Sequence, residues 1–397
     1  MMGQILLITG ATGLVGKALV KHCLAEGYTV HYLTTRKSKI ITQKHHKGFY
    51  WNPQNNTIDT ACFEGVEVIV NIAGASIEQR WSKAAKASIL SSRTEALALL
   101  CSTIKSHNFP VKQIISASAI GIYPDSKTRY YDEKFQGTDA SFLSSVVKSW
   151  EGSLKPFQTL GLKTTALRIG IVLDSNEGAL PKIMSPIKHY LGAALGTGDQ
   201  WQSWIHIDDL VQLFMFVLES KLEGVYNAVA PNPVQQTELT KLIAKQLQCP
   251  LFLPNIPEFV LRLMLGEMRA IALESQRVCA RKIQEAGFKF EFLELEPALE
   301  DLMANYDGTV RSNKNTIIQF QYGELNDRSP VHRGVFKVLN SHGIEYPFNN
   351  ESFNSLSIGY QNPIDSTKDK DKDMKFLRNT WYCAGWSHYL RDEPVAI

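Results

Sequence analysis

Three glycines near the start of the chain carry the chemistry most legible from spacing alone. They stand in Gly10-Ala11-Thr12-Gly13-Leu14-Val15-Gly16, after the apolar run Ile5 to Ile8 and before an amphipathic segment from Lys17 to Leu24. In such a strand–turn–helix, Gly10 makes the tight turn and Gly13 lets backbone N–H groups approach a pyrophosphate. Gly16 lets the helix lie close to the sheet. The unpaired N–H groups and partial positive charge of the helix N-terminus complete an anion site. This order of residues implies a dinucleotide cofactor. Arg36, in Leu33-Thr34-Thr35-Arg36-Lys37-Ser38, stands where a second strand should end, with no carboxylate nearby. A carboxylate there would grip both ribose hydroxyls of NAD, whereas an arginine makes a forked contact with a 2′-phosphate. The expected cofactor is therefore NADP(H) in preference to NAD(H).

Other candidates fall at the ends of later apolar runs. Ala73 and Gly74 close Asn71-Ile72-Ala73-Gly74, where small residues let the backbone pass close to the adenosine half of the cofactor. Ser118 and Tyr123 lie in Ser116-Ala117-Ser118-Ala119-Ile120-Gly121-Ile122-Tyr123, a place for a hydroxyl facing the nicotinamide and for a proton donor just past it. Arg168, at the end of Thr164 to Ile169, either holds an anionic substrate group or pairs with a carboxylate of the fold. Trp204 and His206 precede the apolar segment Leu210 to Leu218. They are candidates for the cleft wall, with His206 titrating near neutrality. Asp208 or Asp209 is expected to cap the following helix. The glycines of Leu195-Gly196-Thr197-Gly198-Asp199-Gln200 suggest a mobile loop that closes over a ligand.

These residues must be positioned by alternating strands and helices. Strands are expected over Thr29–Thr34, Val66–Ile72, Val111–Ser116 and Thr164–Ile169, with helices over about Ser82–Lys105 and Ala140–Leu160. Such alternation predicts an α/β fold with a Rossmann-type doubly wound parallel sheet, whose ligands sit beyond the carboxyl ends of the strands. This domain is expected over residues 1–230. A small helical region follows over 249–302, where Phe259 to Leu273 carries apolar residues at helical spacing, as core or subunit interface. Residues 306–373 read as a polar, disordered linker ending in alternating lysine and aspartate.

The chain has 397 residues, 44% hydrophobic and 20% charged, with a net charge of +3. That suits a soluble protein with a sizeable core and no nucleic-acid or membrane partner. A homodimer or protein partner stays open. Six cysteines are scattered without a Cys-x-x-Cys pair, as expected for reduced thiols in the cytoplasm with no metal site. No basic segment precedes the first apolar run, and no segment reaches the roughly 20 apolar residues that span a bilayer.

With these pieces placed, the chain resembles an extended-type short-chain dehydrogenase/reductase. More narrowly it is similar to the atypical epimerase-family branch with a C-terminal DUF1731-type helical domain. The resemblance covers roughly residues 3 to 302 and rests on GATGLVG, NIAGASIEQRW, SASAIGIY, LRIGIVL, GALPKI, QSWIHIDDLV and FVLRLMLGEMRAIALESQRV in that order. It implies a bound nicotinamide dinucleotide, a phosphate loop over Gly10 to Gly16, an adenosine-side loop at Ala73 and Gly74, and Ser118 by the nicotinamide.

The wider superfamily uses a tyrosine four residues ahead of a lysine on one helix face, the ammonium depressing the phenol pKa. Counted back from Glu151, those positions here hold Leu143 and Val147. Tyr123 with Lys127 and Tyr130 with Lys134 match the string, but lie in a loop containing proline and aspartate. The resemblance thus implies an NADP(H)-binding epimerase-like oxidoreductase with an unusual active site. Its substrate would be small and polar, a nucleotide sugar among the candidates. The alternative is a catalytically silent regulator that binds the cofactor. Residues 374–397 resemble the opening of a Rieske-type oxygenase without the Cys-x-His and Cys-x-x-His cluster ligands, so no iron–sulfur function follows.

Overall fold

Apolar runs too short for helices form the centre of the molecule. The computed structural model describes residues 4–137 and 139–304, with the backbone of Gln321–Tyr322 and Leu356–Ser357. Seven strands, β1 (Ile5–Thr9), β2 (Thr29–Thr34), β3 (His46–Asn52), β4 (Val66–Asn71), β5 (Gln113–Ala119), β6 (Lys163–Ile169) and β7 (Gly224–Ala228), run parallel. Their spatial order is β7-β6-β5-β4-β1-β2-β3, and short antiparallel pieces, Thr42–Gln43 and Thr57–Ile58, pair with β3 at the edge. Burial on both faces explains why the strands read as continuous rather than alternating apolar runs. Leu6, Leu7 and Ile8 are fully buried, as are Ile114 and Ile115.

Helix α1 (Leu14–Ala25) packs with the helix Ile207–Glu219, and α2 (Lys83–His107) packs with α3 (Phe142–Gly152). The order reverses between β1 and β4, which opens a crevice beyond their carboxyl ends. The α/β class and doubly wound architecture are as the alternation implies. The strand β3 and its antiparallel companions carry no strong apolar pattern and were not expected. The helix expected over 140–160 is two pieces, α3 and Lys155–Thr159. Pro156 has no N–H for the carbonyl of Gly152, so the ladder breaks there.

Beyond β7 the chain folds into short helices, Glu258–Leu265, Ala270–Leu273, Arg281–Glu285 and Leu295–Ala304. The segment Phe259–Leu273 is not one helix, because Gly266 at φ +59° breaks it. Nor is its apolar face core. Phe259, Leu263 and Met264 are 73%, 84% and 71% exposed, and Leu261 is the buried residue of that first helix. Arg277–Val278 pairs in parallel with Tyr130–Tyr131, stitching this region to the loop after β5. Among the described residues no helix is long and apolar enough to cross a membrane, and Cys23, Cys62, Cys101, Cys249 and Cys279 are free thiols. The expectations for 306–373 and 374–397 lie outside the described residues, apart from the antiparallel pairing of Gln321–Tyr322 with Leu356–Ser357.

Candidate active site

The loop between β1 and α1 is built by close approach. Gly10 sits at φ +71°, and a Cβ on it would lie 2.7 Å from the Ile72 carbonyl carbon. A Cβ on Gly16 would lie 2.1 Å from the Gly10 carbonyl oxygen. Gly13 differs: its Cβ would meet only Gly10 O at 3.5 Å and otherwise enter open space. It is the N-cap of α1, with no side-chain cap and no acidic residue in the first turn. The first-turn N–H groups around Leu14, Val15 and Gly16 therefore lack a built-in acceptor, with Thr12 and Gly13 exposed beside them. This open cradle fits a pyrophosphate.

Buried hydroxyl and amide groups fix the neighbouring strand ends. Thr9 Oγ1 donates to Asn71 Oδ1 at 2.7 Å and accepts from the N–H groups of Ile72 and Ala73 at 3.2 and 3.1 Å. Asn71 Nδ2 donates to Ser116 Oγ at 3.0 Å. These bonds tie β1, β4 and β5 together and hold Ala73 and Gly74 beside the glycine loop. At the end of β2, the N–H of Arg36 donates to Thr34 Oγ1 at 3.2 Å, and its side chain is exposed at the crevice end of the sheet.

A cavity of about 300 Å³ opens beyond β5 and β6. Ser118 and Gly121 line it from β5 and the turn after it, and Gly170 and Ile171 line it from the end of β6. Leu143, Val147 and Trp150 of α3 add an apolar wall, and Ala270, Ile271, Glu274 and Gln276 close it from the C-terminal region. The positions of the missing phenol and ammonium thus face the cavity, as a leucine and a valine. Its charged lining groups are Arg93 and Glu274. Arg93, half-buried on α2, donates to the carbonyls of Ala75 and Ile89 and stacks over Trp150 at 4.9 Å. Burial brings its pKa down to about 10.

Arg168, Tyr123, Glu151 and Asn227 form a polar cluster that reaches the cavity through Ser118. In register across three strands, Ser118 lies opposite Arg168, and Arg168 opposite Asn227. Arg168 is 7% exposed and forks onto Glu151, Nε to Oε1 at 2.8 Å and Nη2 to Oε2 at 2.9 Å. Burial opposes its charge, but the Glu151 carboxylate outweighs that and raises its pKa. Of the two roles open to Arg168, the structure shows the pair with a carboxylate of the fold. Ser118 Oγ donates to the same Glu151 Oε1 at 2.7 Å. Tyr123 is 1% exposed; its hydroxyl donates to Asn227 Oδ1 at 2.7 Å and accepts from Arg168 Nη1 at 3.0 Å. Burial pushes its phenol up to about 12, against the pull of Arg168. Its side chain does not line the cavity.

Trp204 and His206 are fully buried and also lie off the cavity. Trp204 Nε1 donates to the Asn232 carbonyl at 3.0 Å. The cap of the helix Ile207–Glu219 is His206 rather than either aspartate, because its Nδ1 accepts the Asp208 N–H at 3.1 Å. Asp208 and Asp209 occupy the first turn, and buried Asp209 accepts from the N–H groups of Glu291 and Phe292. His206, Asp208 and Asp301 cluster closely enough to suggest a cation. The cap bond, however, leaves the imidazole proton on Nε2, facing Asp301 Oδ2 at 3.3 Å, which is a donor and not a ligand. The loop at Gly196 and Gly198 is tied down, since Gly198 O accepts from both the N–H and the hydroxyl of Thr237.

Sequence reading missed Arg93, Glu274, Asn227 and the role of Glu151. Arg93 had a signal: it falls four residues after Ile89 and four before Leu97, a cation on the buried face of α2. Glu274 and Asn227 had none, because only tertiary packing brings them to the crevice end.

Sheet order, glycine cradle and crevice together define a nucleotide-binding fold of the short-chain dehydrogenase/reductase type. Residues 6–142 match the NAD dependent epimerase/dehydratase family, and residues 256–302 match a domain of unknown function, DUF1731. The chain belongs to the epimerase family. It is 34% identical over 299 residues to the epimerase family protein SAR0825 of Staphylococcus aureus, covering 75% of this chain and 98% of that one. It is similar to the human epimerase family protein SDR39U1, whose isoform 2 structure was solved with NADPH, at 27% identity and a TM-score of 0.66 over 76% of this chain and 99% of that one. A nucleoside-diphosphate sugar epimerase from Corynebacterium glutamicum aligns with a TM-score of 0.61 and 26% identity, over 75% of this chain and 57% of that one.

Proposed function

We propose that this protein is an NADP(H)-dependent, epimerase-like oxidoreductase acting on a small polar substrate of the nucleotide-sugar or related carbonyl class. The observation that carries the reading is the open cradle at Gly13, whose loop packs through Gly10 against the backbone of Ile72, a residue that also lines the cavity of about 300 Å³. Leu14, Val15 and Gly16 would hold the pyrophosphate through backbone N–H groups, and Arg36 would take the 2′-phosphate. A nicotinamide dinucleotide bound there supplies a hydride donor or acceptor. Leu143, Val147 and Trp150 exclude water from the reacting end, and Arg93 offers a cation to an anionic group of substrate or cofactor. The human relative solved with NADPH supports the choice of cofactor.

Fluorescence titration with NADPH and NADH tests this. NADPH should bind more tightly, and Arg36→Ala should weaken NADPH about tenfold, about 1.4 kcal/mol, while leaving NADH unchanged. Equal affinities for the two in the native protein would remove the preference. Leu143 and Val147 favour a second reading, a cofactor-sensing regulator without turnover. Binding of NADPH with no hydride transfer to any member of a nucleotide-sugar and carbonyl panel would select it.

A further inference from the structure

The cavity holds one carboxyl group, and the C-terminal region supplies it. Glu274 follows the helix Ala270–Leu273, its N–H bonded to the Ala270 carbonyl at 2.9 Å. Its Oε2 lies 3.5 Å from Nε2 of Gln276, which is itself fixed by donating to the Tyr123 carbonyl at 2.8 Å. The next residue, Ser275, donates its N–H to Asp125 at 2.7 Å, so the turn that presents the carboxyl is anchored to the loop after β5. The remaining titratable groups of the site are unsuited to exchanging a proton with a ligand. Tyr123 is enclosed by Asn227 and Arg168, and Ser118 is committed to Glu151.

We propose that Glu274 takes and returns the substrate's hydroxyl proton in this cavity, doing the work of the phenol that Leu143 replaces. The proposal rests on the dinucleotide reading above. In the oxidative direction the substrate C–H bond breaks with its electron pair, which the oxidised nicotinamide ring accepts as hydride. The O–H bond breaks toward the Glu274 carboxylate, leaving a carbonyl, a reduced ring and a protonated Glu274; the reductive direction reverses each transfer. Glu274 is suited to both directions. Burial, then the negative charges of Asp125 and Asp139, lift its carboxyl to about 7, so both forms are populated near neutral pH. Arg93 is the other charged group that lines the cavity.

The test needs no substrate. The oxidised nicotinamide ring is cationic and the reduced ring neutral, so NADP⁺ binding should drive a proton off Glu274 and NADPH binding should not. Calorimetry of the intact protein at pH 7, in buffers of different ionisation enthalpy, reads the protons released. The 2′-phosphate is common to both forms and cancels in the difference. We expect NADP⁺ to release up to about half a proton more than NADPH, and Glu274→Gln to abolish the difference while still binding NADPH by fluorescence. The aspartate variant, which keeps the carboxyl, should retain part of it. Equal release by the two forms in the native protein, or a difference that survives in Glu274→Gln, overturns the role of Glu274 alone. Failure of both forms to bind overturns the dinucleotide reading, and this proposal with it.

Discussion

Two glycines of the first loop should respond to the same substitution in opposite ways. Alanine at Gly16 would place its Cβ 2.1 Å from the Gly10 carbonyl oxygen and 2.7 Å from the Ala11 Cα. The first distance is about 1.3 Å inside the 3.4 Å at which ordinary contact begins, and both partners are backbone. Relief requires α1 to move off the sheet, which should cost about 3 kcal/mol or more. Alanine at Gly13 meets one atom at 3.5 Å, and its backbone, φ −86° and ψ 178°, is open to any residue. Its cost is that of a poorer N-cap, about 1 kcal/mol or less. The added methyl would nevertheless occupy the space assigned to the pyrophosphate, so NADPH affinity should fall tenfold or more. Urea unfolding and NADPH fluorescence on both variants separate the two effects. If Gly13→Ala binds NADPH as well as the native protein does, the phosphate does not lie over Gly13, and the cradle has been misplaced.

Glu151→Ala should destabilise by about 3–5 kcal/mol in urea, because it leaves Arg168 buried without its carboxylate and strips Ser118 of an acceptor. Tyr123→Phe removes a hydroxyl bonded to Asn227 and Arg168, so it should cost about 1–3 kcal/mol of stability yet leave NADPH affinity unchanged. A large loss of affinity would instead place that phenol at the cofactor. The Glu274 carboxyl, raised from 4.5 to about 7 in the folded protein, binds more protons folded than unfolded between those values. Its contribution is fully present below about pH 4.5 and lost as pH rises through 7, by at most about 3 kcal/mol. Urea midpoints across that window should fall less steeply in Glu274→Gln; identical slopes would mean the carboxyl titrates as an exposed one does.

What the sequence disclosed was local. The turn at Gly10, the helix behind it and the buried runs of β1, β4 and β5 each depend on residues a few positions apart, so spacing suffices to find them. The second helix of the 140–160 segment was missed although Pro156 marks the break. The site proper depends on register. Ser118, Arg168 and Asn227 are neighbours only because β5, β6 and β7 align them, and the packing of α3 beside them, which brings Glu151 to Arg168, decided between the two roles open to that arginine. His206 took the cap expected of the aspartates because the helix begins at Ile207, ahead of both, and its imidazole Nδ1 accepts the Asp208 N–H. Glu274 carries no local pattern at all, and only the folding back of the C-terminal turns gives it a place.

One side of the cavity comes from Ala270–Gln276, late in the chain, whereas the cradle comes from the first loop. During synthesis on the ribosome, the residues of the proposed coenzyme seat therefore emerge long before those that close the chamber. On the reading proposed above, the acid and the roof arrive together with Ala270–Gln276, so chemistry would wait until that segment had folded back.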